Sequence, residues 1–211
     1  LRHGGAIRFL DLGDEANWAL LPEIRNAVTV LVPTQLLDDP ARAASLHALS
    51  ACQDVLVQAE WNDVSEVEGL RTLTNIVGLQ IASTADTRGP TIRSEQMRQL
   101  AGLWDLRLLA FTNVGNYIEE WIAQFAHLRT FFRGGCSVCD YLNDEGLGRI
   151  AALPEIESVV ARGFVLTDAG VAHFAHAPHL RSLSIGGNGL TRAAIEAVGK
   201  PPNLESLYLH S

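Results

Sequence analysis

Three stretches of this chain repeat one another at a step of 24 residues: Ile156-x-x-Val159-x-Ala161, Leu180-x-x-Leu183-x-Ile185 and Leu204-x-x-Leu207-x-Leu209. Between them lie two blocks of one shape, VLTDAGVAHFAHAP at 165–178 and GLTRAAIEAVGKPP at 189–202, and YLNDEGLGRIAALP precedes them at 141–154. A fixed period of this length is the signature of a repeat architecture, in which no unit buries its apolar face alone and neighbours must stack. Upstream the pattern returns at Leu128/Phe131, Leu106/Leu109/Phe111, Ile76/Leu79/Ile81, Cys52/Val55/Val57, Ala27/Val30/Val32 and Ile7/Leu10/Leu12. Successive units start 20, 25, 24, 30, 22, 28, 24 and 24 residues apart. The two long steps imply insertions around 83–91 and 134–141.

Each piece of the unit has a local cause. Apolar residues alternating with polar ones make a short strand with one face inward. Gly186, Gly187 and Asn188 suit the sharp turn after it. Thr167-Asp168 and Asn143-Asp144 stand where a helix begins, and their short polar side chains accept from free backbone N–H groups. Val171/Phe174 and Leu147/Ile150/Leu153 follow at helical spacing. Pro154, Pro178 and Pro201 then stop each helix before the next strand.

The block L-x-x-L-x-L, followed by L-T-D-x-G-L and a helix, resembles the leucine-rich repeats of bacterial proteins. The resemblance runs over 1–211 and is closest over 141–211. It implies an α/β fold: a single leucine-rich-repeat solenoid of about nine repeats, with a parallel β-sheet on the concave face and helices on the convex face. The departures are the missing Asn in most turns, Arg133 at an inward position, and uneven lengths before residue 141. The last strand reaches Ser211 with no helix or polar cap behind it, so a larger parent chain or a complex is expected.

Composition narrows the function. With 47% hydrophobic and 19% charged residues and a mean hydropathy of +0.12, the chain has ample material for a core and is not disordered. No apolar run approaches the length of a membrane span. The net charge of −8 argues against nucleic-acid binding through a general basic field. The imbalance is local, because residues 1–70 carry eleven acidic and four basic side chains. Fifteen of the sixteen bases are Arg, in an Ala- and Gly-rich background that fits a high-GC bacterial genome. Three cysteines make no disulfide framework and fit a reducing, cytoplasmic setting.

Candidate binding residues follow from the strand register. The outward residue between the second and third inward positions runs Asp11, Leu31, Leu56, Gln80, Ala110, Phe132, Val160, Ser184, Tyr208. Five of these are sizeable and apolar (Leu31, Leu56, Phe132, Val160, Tyr208), and exposed apolar patches mark contact sites. Beside them stand Arg107, Arg129 and Arg181 at one equivalent position, with Arg162 close by and Glu157 and Glu205 interrupting the row. Arginine suits interfaces because its planar fork pairs with carboxylates and stacks on aromatics. A solvated charged face is the competing reading.

Cys136 and Cys139 form a single C-x-x-C, half of a zinc site at most, with His173, His176 and His179 a repeat or more away. A metal- or redox-dependent protein using Cys136 and Cys139 is therefore the rival from another class. The sequence contains no G-x-S-x-G elbow, phosphate-binding loop, H-E-x-x-H or dinucleotide fingerprint. Glu119 and Glu120 are adjacent, which makes a poor carboxylate pair. The expectation is a recognition module, not an enzyme, without a cofactor. It binds another protein, or another domain of its parent chain, through the concave sheet, and binds neither nucleic acid nor membrane. Part of a sensor or effector, an immunity protein blocking a toxin, and a scaffold subunit all fit.

Overall fold

The computed structural model describes residues 9–24, 28–33, 39–51, 55–60, 75–82, 91–92, 100–112, 115–116, 121–134, 142–199 and 201–210. Nine strands form one open, wholly parallel sheet: β1 (Phe9–Asp11), β2 (Val28–Pro33), β3 (Val55–Glu60), β4 (Ile76–Ala82), β6 (Leu108–Thr112), β8 (Thr130–Gly134), β9 (Ser158–Arg162), β10 (Ser182–Gly186) and β11 (Ser206–His210). They lie side by side in chain order, as stacked repeats require. β5 (Thr91–Ile92) and β7 (Gly115–Asn116) pair as a separate two-stranded parallel sheet.

Helical segments lie in the described parts of most connections between strands of the main sheet. In the C-terminal repeats they include α-helices: α2 (Asp144–Ala151), α3 (Asp168–Ala172) and α4 (Arg192–Val198). Toward the N-terminus, apart from the short α1 (Pro40–Ser45), they are 3-10 turns at Glu15–Glu23, Leu46–Ala51, Leu100–Gly102 and Ile122–Gln124. One continuous core fills the space between sheet and helices. Leu10, Val30, Val57, Leu79, Leu109, Phe131, Val159 and Leu183 line it in register, each 4% exposed or less. Where the described part of the connection holds the turn Ile122–Gln124, large rings occupy the core. Phe111 packs edge-on against Trp121 at 6.0 Å and tilted against Phe131 at 6.3 Å. Arg133 takes the inward position its register dictates and is buried.

The expected helix starts are hydrogen-bonded caps. Asn143 accepts from the Gly146 N–H, Thr167 from Ala169 and Thr191 from Ala193. The aspartate after the cap adds a bond between repeats. Asp144 accepts from the Thr167 N–H at 2.9 Å and its hydroxyl at 2.5 Å, and Asp168 accepts likewise from Thr191 at 2.7 and 2.5 Å. Gly170 lets the helices close to this distance, because a Cβ there would overlap the Asp144 carboxylate and stand 2.9 Å from Leu147. The L-T-D-x-G block thus encodes stacking as well as helix initiation.

Strand pairing corrects the expected register of the third repeat. Val30 pairs with Val57 and Val32 with Ala59, so the inward residues of β3 are Val55, Val57 and Ala59 rather than Cys52, Val55 and Val57. The step from Val30 to Val57 is 27 residues and that from Val57 to Leu79 is 22. The register then shifts between Val55 and Leu56, where Val77 of β4 is bulged out of the pairing. Cys52, Glu119, Glu120, Cys136 and Cys139 lie outside the described residues, as does most of each expected insertion.

Candidate interaction surface

The sheet face turned away from the core carries its side chains in rows, one residue per strand. The row expected as an apolar ladder is Asp11, Leu31, Gln58, Gln80, Ala110, Phe132, Val160, Ser184, Tyr208. Gln58 stands where Leu56 was expected. Leu56 is on the same face one row over, between Thr29 and Gly78. A two-residue slip preserves the face of a strand while changing the row. Gln58 donates to Gln80 across the strands at 3.1 Å, so the ladder is interrupted by a polar rung.

Two apolar patches result. At the N-terminal end Phe9 (54% exposed), Leu56 (36%) and half-buried Leu108 occupy one row, with Leu31 in the next. At the C-terminal end Phe132 (37%), half-buried Val160 and Tyr208 (61%) occupy the ladder row. The Phe132 ring lies along its own strand over Gly134, where a Cβ would stand 2.8 Å from Cζ. Tyr208 stacks on His210 with centroids 5.2 Å apart, and the His210 ring in turn lies over Gly186. Hydroxyls run beside the C-terminal patch, with Thr130, Ser158, Ser182 and Ser206 paired in succession.

The arginine row is engaged within the chain. Arg107 bonds Asp105 at 3.0 Å, Arg129 bonds Glu155 at 3.1 Å and approaches Glu157 at 3.8 Å, and Arg181 bonds Glu205 at 2.8 Å. The glutamates that interrupt the row are therefore its partners. Hydrogen bonds from His127 and Arg129 hold the Glu155 carboxyl below the usual range. These groups are well exposed, so each pair adds little stability. Arg162 differs. It is exposed at the end of β9, pairs in register with Gly186, and has no ion pair among the described residues.

Among the described residues no group of three or more His, Cys, Asp or Glu side chains is placed to hold a metal, and no helix is long and apolar enough to cross a membrane. His173, His176 and His179 all lie on the helical side of the chain, away from the strand face.

A nine-stranded parallel sheet with helical connections and one continuous core is a leucine-rich-repeat solenoid, and the solved structures it resembles have that fold. Internalin C2 of Listeria monocytogenes matches with a TM-score of 0.53 at 16% identity, over 92% of this chain and 84% of that one. TLR13, in its complex with ssRNA13, matches at 0.55 and 12% identity over 97% of this chain and 30% of its own. Toll, in its complex with Spatzle from Drosophila, matches at 0.51 and 11% identity over 93% and 30%. At such identities the likeness establishes the fold alone. No protein-family model matches the chain. No curated protein matches it either.

Proposed function

We propose that the chain is a protein-recognition module that binds through the solvent face of its sheet, at the C-terminal patch formed by Phe132, Val160 and Tyr208. The observation that carries this reading is the exposure of Phe132 and Tyr208 in one row with half-buried Val160, beside a row of hydroxyls and arginines paired within the chain. Aromatic side chains in such positions supply most of the affinity of protein interfaces, about 2 kcal/mol or more each at hot spots. Leu31, Leu56 and Gln80 belong to a separate, weaker patch under this proposal, and Arg107, Arg129 and Arg181 frame the surface instead of leading the contact. The partner is another protein, or another domain of a parent chain, as in a sensor or effector. Cysteine usage fits a cytoplasmic setting.

The same fold in TLR13 is seen with single-stranded RNA and in Toll with a protein, so fold does not separate the two partner classes. The charge does favour one. A face whose arginines are largely neutralised, on a chain of net charge −8, offers little to a phosphate backbone. The test is a pull-down from the native host, with and without ribonuclease, comparing the wild-type chain with the double variant Phe132→Glu, Tyr208→Glu. A protein retained by the wild type under both conditions, and lost at least tenfold by the folded double variant, is the expected result. Equal retention by both forms removes the C-terminal patch as the site. Loss on ribonuclease treatment replaces the protein partner with RNA.

A further inference from the structure

We infer that the C-terminal patch selects an acidic peptide segment, one that sets a carboxylate on Arg162 and apolar side chains along the row of Phe132, Val160 and Tyr208; this deepens, and rests on, the protein-binding reading above. Arg107, Arg129 and Arg181 each have a carboxylate of their own chain within 2.8–3.1 Å, so a partner's carboxylate would have to displace an existing pair. Arg162 has none among the described residues, and it is exposed.

The surroundings of Arg162 suit an incoming chain. Its register neighbour on β10 is Gly186, which raises no side chain beside the guanidinium. The imidazole of His210, next in register on β11, lies over Gly186. Val160, two residues earlier on β9 and on the same face, places Phe132 and Ser184 as its lateral neighbours. Tyr208 stands beyond Ser184 and is braced by His210. A carboxylate at Arg162 therefore has apolar and aromatic surface about two residue spacings away, the arrangement that reads an acidic residue two positions from an apolar one on an extended chain. One unpaired arginine among the described residues of this face suits a carboxylate and is too few for a polyanion, which needs a charge for each phosphate it neutralises.

The test uses two synthetic hexapeptides, one with Glu two residues before Leu (Ser-Glu-Ser-Leu-Ser-Gly) and one with Gln in place of that Glu, titrated into the whole chain and followed by amide NMR shifts. The Glu–Leu peptide is expected to bind about tenfold more tightly than the Gln–Leu peptide, with shifts centred on β8–β11. Arg162→Gln should erase that preference, and Arg162→Lys should restore part of it. If Arg162→Gln leaves the Glu–Leu affinity unchanged, or neither peptide binds, the assignment is overturned. It falls alone if Phe132→Glu, Tyr208→Glu still loses a peptide that the wild type binds, and the interface reading falls with it if that double variant binds like the wild type. Two further arms decide the occupant. A single-stranded RNA decamer that competes with the Glu–Leu peptide and loses binding with Arg162→Gln would overturn the peptide assignment. So would a dimer in sedimentation that Arg162→Gln converts to monomer, which would make a second copy of the chain the occupant.

Discussion

The two ends of this solenoid solve the same stacking problem differently. From Phe131 onward the strands recur at 28, 24 and 24 residues, and each is followed by an α-helix or comes after one that begins at a side-chain cap. Those helices are bonded to one another through Asp144–Thr167 and Asp168–Thr191. Before Phe131 the steps vary from 20 to 30 residues, most connections are 3-10 turns, and a bulge interrupts the pairing of β3 with β4. Yet the sheet passes through both regions without a break, and the inward residues are equally buried. Strand pairing and inward packing are therefore sufficient for the fold, while the helix caps impose regularity. Variation on the helical side is tolerated because loop length enters the closure entropy only weakly.

The junction offers the strongest way to break this comparison. Phe131 is fully buried beneath β8 and touches Phe111 of the preceding strand, linking the irregular and regular halves. Phe131→Ala should cost about 3–5 kcal/mol, because the cavity cannot collapse between strands fixed by their ladder. Urea unfolding would measure it. A single, earlier transition is expected if one core serves both halves. A variant in which the C-terminal helical signal melts at the wild-type midpoint would show two separately stable units instead.

A smaller effect sharpens the role of the caps. Thr167→Ala removes the bond to the Ala169 N–H and also the hydroxyl bond to Asp144 in the preceding repeat. The expected loss is about 1–2 kcal/mol by thermal or urea melts. Asp39→Ala in the N-terminal half removes the cap on Ala41 and a long 3.8 Å approach of Arg42. It should cost less, since the described residues include no inter-repeat bond from Asp39. Equal losses from the two variants would mean that the Asp–Thr bonds add nothing beyond ordinary capping.

How much of this was legible in the sequence follows from what repeats and what does not. The inward residues announce themselves because burial demands an apolar side chain at each one, whatever its neighbours. The row of an outward residue does not. Val55-Leu56-Val57-Gln58-Ala59 alternates cleanly, so sliding it by two residues keeps every side chain on its face, and only the pairing of Val57 with Val30 and Leu79 fixes the register. The arginine row was visible, but its neutralisation was not, since Arg129 and Glu155 are 26 residues apart and meet only through the register. A usable signal did exist for Arg181 and Glu205, and for Asp168 and Thr191. Their separations, 24 and 23 residues, equal the period and fall one short of it. Opposite charges, or donor and acceptor, one period apart can be read as neighbours in any stacked repeat.

The smallest expected effect concerns pH and falls in the regular half. Hydrogen bonds from the hydroxyl and backbone N–H of Thr191 lower the Asp168 carboxyl below its ordinary value of 3.8, and those from His127 and Arg129 lower Glu155 below 4.5. A carboxyl whose folded value is depressed contributes stability that is present above its unfolded value and is lost as pH falls through the folded one. Acidification from pH 6 to pH 3 should therefore erode the Asp168–Thr191 bond between α3 and α4, and those between His127, Arg129 and Glu155, before the sheet is affected. Both carboxyls are solvated, so the loss is modest. Asp168→Asn keeps the side chain's shape and removes its titration, so its melting temperature should fall less between pH 6 and pH 3 than that of the wild type. An identical fall in both proteins would place the acid sensitivity elsewhere, and would remove the Asp168–Thr191 bond from the features that set the C-terminal repeats apart.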